Sequence, residues 1–188
     1  MDVPAPTPTT PAAGEPARAR GLSRLGRATI EQLPFAAASF DLVTSFEVIY
    51  HLGVANDACA FLEIRRVLKP GGLFLLRLPG HDWLRGEHDR LVHTRHRYSP
   101  DEVDHKLRAA GFSIQQVTWA NSVLFPPAVA KRLMERFQSA SDDEPDLWQP
   151  PGPVNAVLEG AIAVEALLLP RHIPLPFGLS VLAVARAE

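Results

Sequence analysis

Cysteine is almost missing from this 188-residue chain: Cys59 stands alone, so no intrachain disulfide can form. That suits a reducing compartment. No run of 18 or more apolar residues occurs, which excludes a membrane-spanning helix by length. An excess of either charge is also lacking, since the net charge is −2 and no global basic field draws the chain to nucleic acid or an anionic membrane. The start lacks the charged and apolar regions of a secretion signal. Asp2, Glu15 and the prolines oppose an amphipathic targeting helix there, despite arginines at 18, 20, 24 and 27. What is present, 46% apolar and 21% charged residues, is the composition of a packed domain. The expectation is a cytoplasmic protein with one domain, no membrane span and no nucleic-acid partner.

Residues 1–20 carry prolines at 4, 6, 8, 11 and 16, which fix their own dihedrals and deny the backbone donors. This stretch is expected to be a disordered or extended tail, with the domain at 21–188. From 28 to 120 strand and helix alternate. Phe40 to Phe46 is a short apolar run suited to a buried strand. Asn56 or Asp57 can cap the next helix, which places Phe61, Ile64, Val67 and Leu68 on one face. Lys69-Pro70-Gly71-Gly72 stops it, and Leu73 to Leu78 forms the next strand. Ser99-Pro100-Asp101-Glu102 reads as a capping box, with Glu102 reaching back, before a helix buried through Val103, Leu107 and Ala110. Residues 112–119 are more polar and suit a sheet edge. This alternation predicts an α/β fold with a mostly parallel sheet and right-handed crossovers. Residues 121–176 then form a helical insertion, one helix from Pro126 to Phe137 and a more apolar one from Val154 to Leu169 expected to pack in the core. Gly178 to Arg186 supplies a last buried strand.

Five segments, in order and at their spacing, resemble the class I S-adenosylmethionine-dependent methyltransferases, in particular the ubiquinone/menaquinone group. They are Leu33-Pro34-Phe35, Ser39-Phe40-Asp41-Leu42-Val43, His51-Leu52, Arg66-Val67-Leu68-Lys69-Pro70-Gly71-Gly72, and the stretch from His81-Asp82-Trp83-Leu84 to Arg97-Tyr98. The resemblance implies a partial Rossmann-like methyltransferase fold, S-adenosyl-L-methionine as cofactor and a small-molecule methyl acceptor. By position it maps Thr29 and Ile30 beside the adenine, and Ser45, Phe46 and Glu47 beside the methionine part. His51, His88, His93 and Tyr98 fall at the acceptor's mouth, while no catalytic residue is assigned. Arg95 and Arg97 read either as holders of an acidic acceptor or as a solvated basic face. His88, His93 and His96 match no closed zinc spacing, so no metal is expected.

One departure is plain. Members of this family open with a strand, a glycine-rich turn, a helix and a second strand ending in an acid. Here Gly14, Gly21 and Gly26 are scattered, and no apolar strand precedes any of them. The resemblance therefore implies a sheet that keeps the family's last four strands, in the order 4-5-7-6, and lacks the first two. The strand Phe40–Phe46 becomes an edge open to self-association or to a partner chain. Without the glycine turn, the chain may also be read as a cofactor-free remnant serving as an interaction module. Deleting residues 1–20 should leave the thermal midpoint unchanged within error; a loss of several degrees would mean that they pack on the domain.

Overall fold

The computed structural model describes residues 18–21, 26, 28–86, 89–90, 92–137, 152–168, 171 and 173–188. Strand β1 (Phe40–Phe46) leads to helix α1 (Asp57–Val67), then β2 (Leu68–Pro79). A single 3-10 turn (Asp82–Leu84) precedes α2 (Pro100–Ala109) and β3 (Phe112–Ala120). Helices α3 (Phe125–Phe137) and α4 (Gly152–Leu168) come before β4 (Ser180–Ala187). The proline-rich stretch to residue 17 lies outside the described residues.

The sheet order is β1-β2-β4-β3, the arrangement that the resemblance implies. β1 runs parallel to β2, while β4 is antiparallel to both β2 and β3. Three strands therefore point one way and the last is threaded backwards between two of them. The expectation of a mostly parallel sheet holds for strand direction but not for pairing. A right-handed crossover through α2 leaves a gap beside β2, and only a strand arriving from the opposite end can fill it by the shortest path. β4 is central, and Val181, Ala183, Ala185 and Ala187 are buried in it. Their small side chains let the helix layer sit close, so Phe61, Ile64, Val103 and Leu107 meet Phe74, Leu76 and Phe112 in one core.

The local signals act largely as the sequence predicts. Asn56 caps α1 through its side-chain oxygen, and Ser99 caps α2 with Pro100 in its first turn. Glu102 departs from the capping-box expectation. Its carboxylate meets His96 Nε2 at 2.9 Å and Lys106 Nζ at 2.9 Å instead of turning back to the cap. A half-buried carboxylate that meets an ammonium and an imidazole gains more than one holding a single solvated N–H. Helix α4 departs more. It was expected in the core, yet Val157, Ile162, Val164 and Leu167 are exposed and Glu165 is its buried polar residue.

A polar knot ties the two helices of the core layer together. Asp57 is buried and accepts from Tyr98 Oη at 3.0 Å and from Lys106 Nζ at 2.6 Å. Burial opposes its ionisation, but the Lys106 ammonium and the Tyr98 hydroxyl outweigh that and hold its carboxyl below the usual range. Burial and then Asp57 push the Tyr98 hydroxyl well up. Lys106 is raised despite its own burial, because Asp57 and Glu102 both face it. The two carboxylates therefore contribute stability that is present above their unfolded values near pH 4 and is lost as pH falls through the folded ones. Lys106 contributes stability that is present below its unfolded value near 10.4 and is lost as pH rises through its folded one. Lys106→Met should cost about 2–4 kcal/mol at pH 7 by leaving Asp57 underpaired. The penalty should shrink on acidification to pH 3, as thermal melts across pH would show. An equal penalty at both values would exclude this ion pair as the cause.

Candidate functional site

The forward strands β1, β2 and β3 all end on one side of the sheet, where β4 begins. At each of these ends the backbone does something costly. Glu47 follows β1 with φ 57°, His81 follows β2 with φ 59°, and Asn121 follows β3 with φ 60°. Left-handed backbone in residues with a Cβ costs about 1–3 kcal/mol each and persists where the surroundings over-determine it. In open α/β sheets this side, beyond the carboxyl ends of the strands, is where ligands bind.

Around β1 the expected site residues take distinct positions. Ser45 is buried and its Oγ has no hydrogen-bond partner. Phe46 is exposed with the Arg77 guanidinium 5.7 Å from its ring centre. The Glu47 carboxylate accepts from Arg77 Nε at 3.0 Å. Burial and then Glu47 raise the Tyr50 hydroxyl to about 12. Thr29 accepts from the Glu31 N–H through Oγ1 at 3.3 Å, and Ile30 packs against the core. The Glu31 carboxylate receives the Asn56 N–H at 2.7 Å, which fastens this segment to the start of α1. Glu31 belongs by position to the same segment that the resemblance sets beside the adenine, but its bond to Asn56 leaves no trace in the sequence.

The histidines expected at the acceptor's mouth separate. His51 and His93 come together, their ring centres 5.7 Å apart and nearly perpendicular. The Leu52 N–H donates to the His93 carbonyl at 2.8 Å, which pins the two loops. Tyr98 lies in the buried knot with Asp57, and His88 lies outside the described residues. Arg95 and Arg97 are not a solvated face. Arg97 clasps Asp89 at 2.8 and 3.1 Å, and Arg95 donates to the Ala55 carbonyl at 3.2 Å while lying 3.7 Å from Asp57. Among the described residues no group of three or more His, Cys, Asp or Glu could hold a metal ion.

At the far side of this end, β2, β3 and β4 converge on an aromatic niche. His81 stacks on Trp119 with ring centres 4.1 Å apart and planes 8° off parallel. Phe125 and Trp83 approach the same imidazole at 4.9 and 5.6 Å. Two glycines make the geometry. A Cβ on Gly80 would sit 2.5 Å from the Trp119 ring, and one on Gly178 would sit 2.2 Å from the Ala120 carbonyl oxygen. The Glu165 carboxylate closes the side by accepting from the Asn121 and Ser122 N–H groups, which anchors α4 to the end of β3. Glutamates in apolar helices are readable as interruptions, but their partners lie across the fold.

The comparisons bear on this geometry. Residues 7–76 match the methyltransferase domain family. A Mycolicibacterium smegmatis protein named a "Probable S-adenosylmethionine-dependent methyltransferase" is 36% identical over 90 residues, 46% of this chain and 34% of its own. A dimethylglycine N-methyltransferase of Parasynechococcus marenigrum is 46% identical over 52 residues, 28% of this chain and 18% of its own. The chain thus spans about a third or less of the length of these curated relatives. The crystal structure of an S-adenosylmethionine dependent methyltransferase from Mesorhizobium loti superposes with a TM-score of 0.52 at 18% identity, over 93% of this chain and 76% of its own. Over residues 7–76 the chain is thus similar to the methyltransferase domain family, and its fold is that of the S-adenosylmethionine dependent methyltransferase from Mesorhizobium loti.

The family's cofactor is S-adenosylmethionine, and the described residues fit one side of it. Ser45, with its unpartnered buried hydroxyl, and the turn at Glu47 offer a polar wall at the end of β1. A glycine-rich backbone cradle and a ribose-binding acid find no counterpart among the described residues. The site is thus half built by what is seen here.

Gly178→Ala should lower stability by about 1–3 kcal/mol, because the new methyl must displace the Ala120 backbone. It should also perturb the Trp119 fluorescence. Unchanged emission and melting would mean that the close approach is not required.

Proposed function

We propose that this fold serves S-adenosylmethionine-dependent methyl transfer to a small-molecule acceptor, with the glycine-rich cradle for the cofactor supplied along the β1 edge. The carrying observation is the set of left-handed backbones at Glu47, His81 and Asn121, which stacks strain on the ligand side of a methyltransferase sheet. In this reading Thr29 and Ile30 border the adenine, and Ser45, Phe46 and Glu47 border the methionine part. His51 and His93 stand at the acceptor's mouth, to which the resemblance also assigns His88 and the buried Tyr98. Alignment of acceptor and methyl group is then the main task of these residues.

A second reading has its own support in β1. Among the described residues the strand pairs with β2 alone, and its Leu42 and Phe46 side chains are 54% and 46% exposed. A charge at Asp41, paired with Lys69 at 2.9 Å, guards only its beginning. Such an edge invites another strand. The chain then acts as an interaction module, or as one part of a two-chain enzyme.

The 188-residue chain alone should bind S-adenosylmethionine weakly or not at all in calorimetry. Micromolar affinity would show that no added cradle is needed. In sedimentation runs it should self-associate, and Leu42→Lys with Val43→Pro should abolish that. A wild-type chain that stays monomeric at high concentration would refute an open β1 edge.

A further inference from the structure

His81 has the chemistry of a binding group that the fold leaves unused. Among the described residues its buried Nε2 has no hydrogen-bond partner, and the Gly178 backbone carbonyl acts on the ring as an acceptor, a role that falls to Nδ1. A ring nitrogen that donates to a carbonyl fixes the tautomer, so the other nitrogen presents a bare lone pair. Burial first, and then the Arg97 charge, lower the imidazole's affinity for a proton. The left-handed backbone at His81 and the glycines at 80 and 178 set this ring in place at a cost in strain. A buried acceptor without a donor is costly, so the site is unsatisfied as it stands.

The walls say what would satisfy it. Trp119 covers one face of the imidazole, and Phe125 and Trp83 stand at its other sides. Trp83 rides on a one-turn 3-10 helix and is 49% exposed, and Phe177, 5.5 Å from Phe125, is half exposed as well. These rings can offer flat apolar faces once Trp83 swings outward. Aromatic walls alone would also welcome an ammonium ion. The Arg97 charge that disfavours a proton on His81 disfavours such a cation equally, although Asp89 pairs with Arg97.

We infer that His81 Nε2, walled by Trp83, Trp119 and Phe125, is a subsite for a neutral, flat aromatic ligand that carries one N–H or O–H donor. The inference deepens the methyl-acceptor reading by naming the acceptor's class, and it rests on that reading only for the word acceptor. Indole and 1-methylindole differ in that one donor, so they serve as probes on the full chain, followed by titration in nitrogen-15 spectra of the histidine rings. Indole should bind at least tenfold tighter than 1-methylindole and shift the His81 Nε2 resonance. His81→Asn keeps a residue that tolerates left-handed backbone and a donor for Gly178, but removes the lone pair. In that variant the two probes should bind alike. Equal binding of the probes to the wild type, no binding of either, or a proton resident on Nε2 of the neutral ring would each overturn the inference. Because the titration needs no cofactor, failure to bind S-adenosylmethionine would sink the methyl-transfer reading while leaving this result to stand or fall by itself.

Discussion

The constraint on which the rest depends is the backward strand β4. It holds β2 on one side and β3 on the other, so without it β3 loses its pairing and β2 keeps only β1. Its entry is fixed by Gly178, whose backbone lies where a methyl group would strike the Ala120 carbonyl. That contact draws the end of β3, the start of β4 and the end of β2 into one spot. Trp119 can then lie over Gly80 and stack on His81. The aromatic niche is a consequence of how the last strand enters the sheet.

Electrostatics does a different task in the helix layer. Asp57 at the start of α1 and Lys106 near the end of α2 join elements that share little apolar contact above the core. Tyr98 brings the intervening loop into the same knot, and Arg95 keeps Asp57 within reach at 3.7 Å. Apolar packing against β2 and β4 is non-directional and would tolerate sliding. A buried carboxylate with two donors and a nearby guanidinium is directional, and it fixes where the loop from 93 to 98 lies. Through that loop it sets the place of His93 beside His51.

Much of this was legible from residue order. The caps at Asn56 and Ser99 and the core faces of both helices follow from local rules that need no tertiary information, whereas the stop expected at Lys69–Gly72 comes earlier: α1 ends at Val67, and Leu68 to Gly72 already belong to β2. The strand order followed from resemblance, because pairing partners far apart in sequence leave no local trace. Glu102 shows where a local rule lost: its capping-box position was right, but the Lys106 ammonium and the His96 imidazole lay close by in the fold. Helix α4 shows the converse, since apolar composition is evidence of burial only where something is present to cover it. His81 could be noticed as part of a motif, yet its unpartnered nitrogen depends on Gly178, nearly a hundred residues away.

The two unsatisfied features of the molecule stand at opposite sides of the same ligand face. On the β1 side they are backbone groups of an edge strand, and because that edge is open, water satisfies them. They therefore do not unfold the sheet; they offer it a ladder to a further strand. On the β2–β3–β4 side the unsatisfied group is one imidazole nitrogen already shielded from water, so only a ligand or an enclosed donor can meet it. An edge that solvent already satisfies gains mainly apolar burial from a partner, through Leu42 and Phe46. A shielded lone pair gains a hydrogen bond that no water supplies, and its preference is for a donor of particular shape. The first arrangement suits recruitment of polypeptide and the second suits selection of a small molecule. Their placement at one end of one sheet is what the proposed methyl-transfer reading requires: a side on which to receive the cofactor's cradle, and a side on which to choose the acceptor.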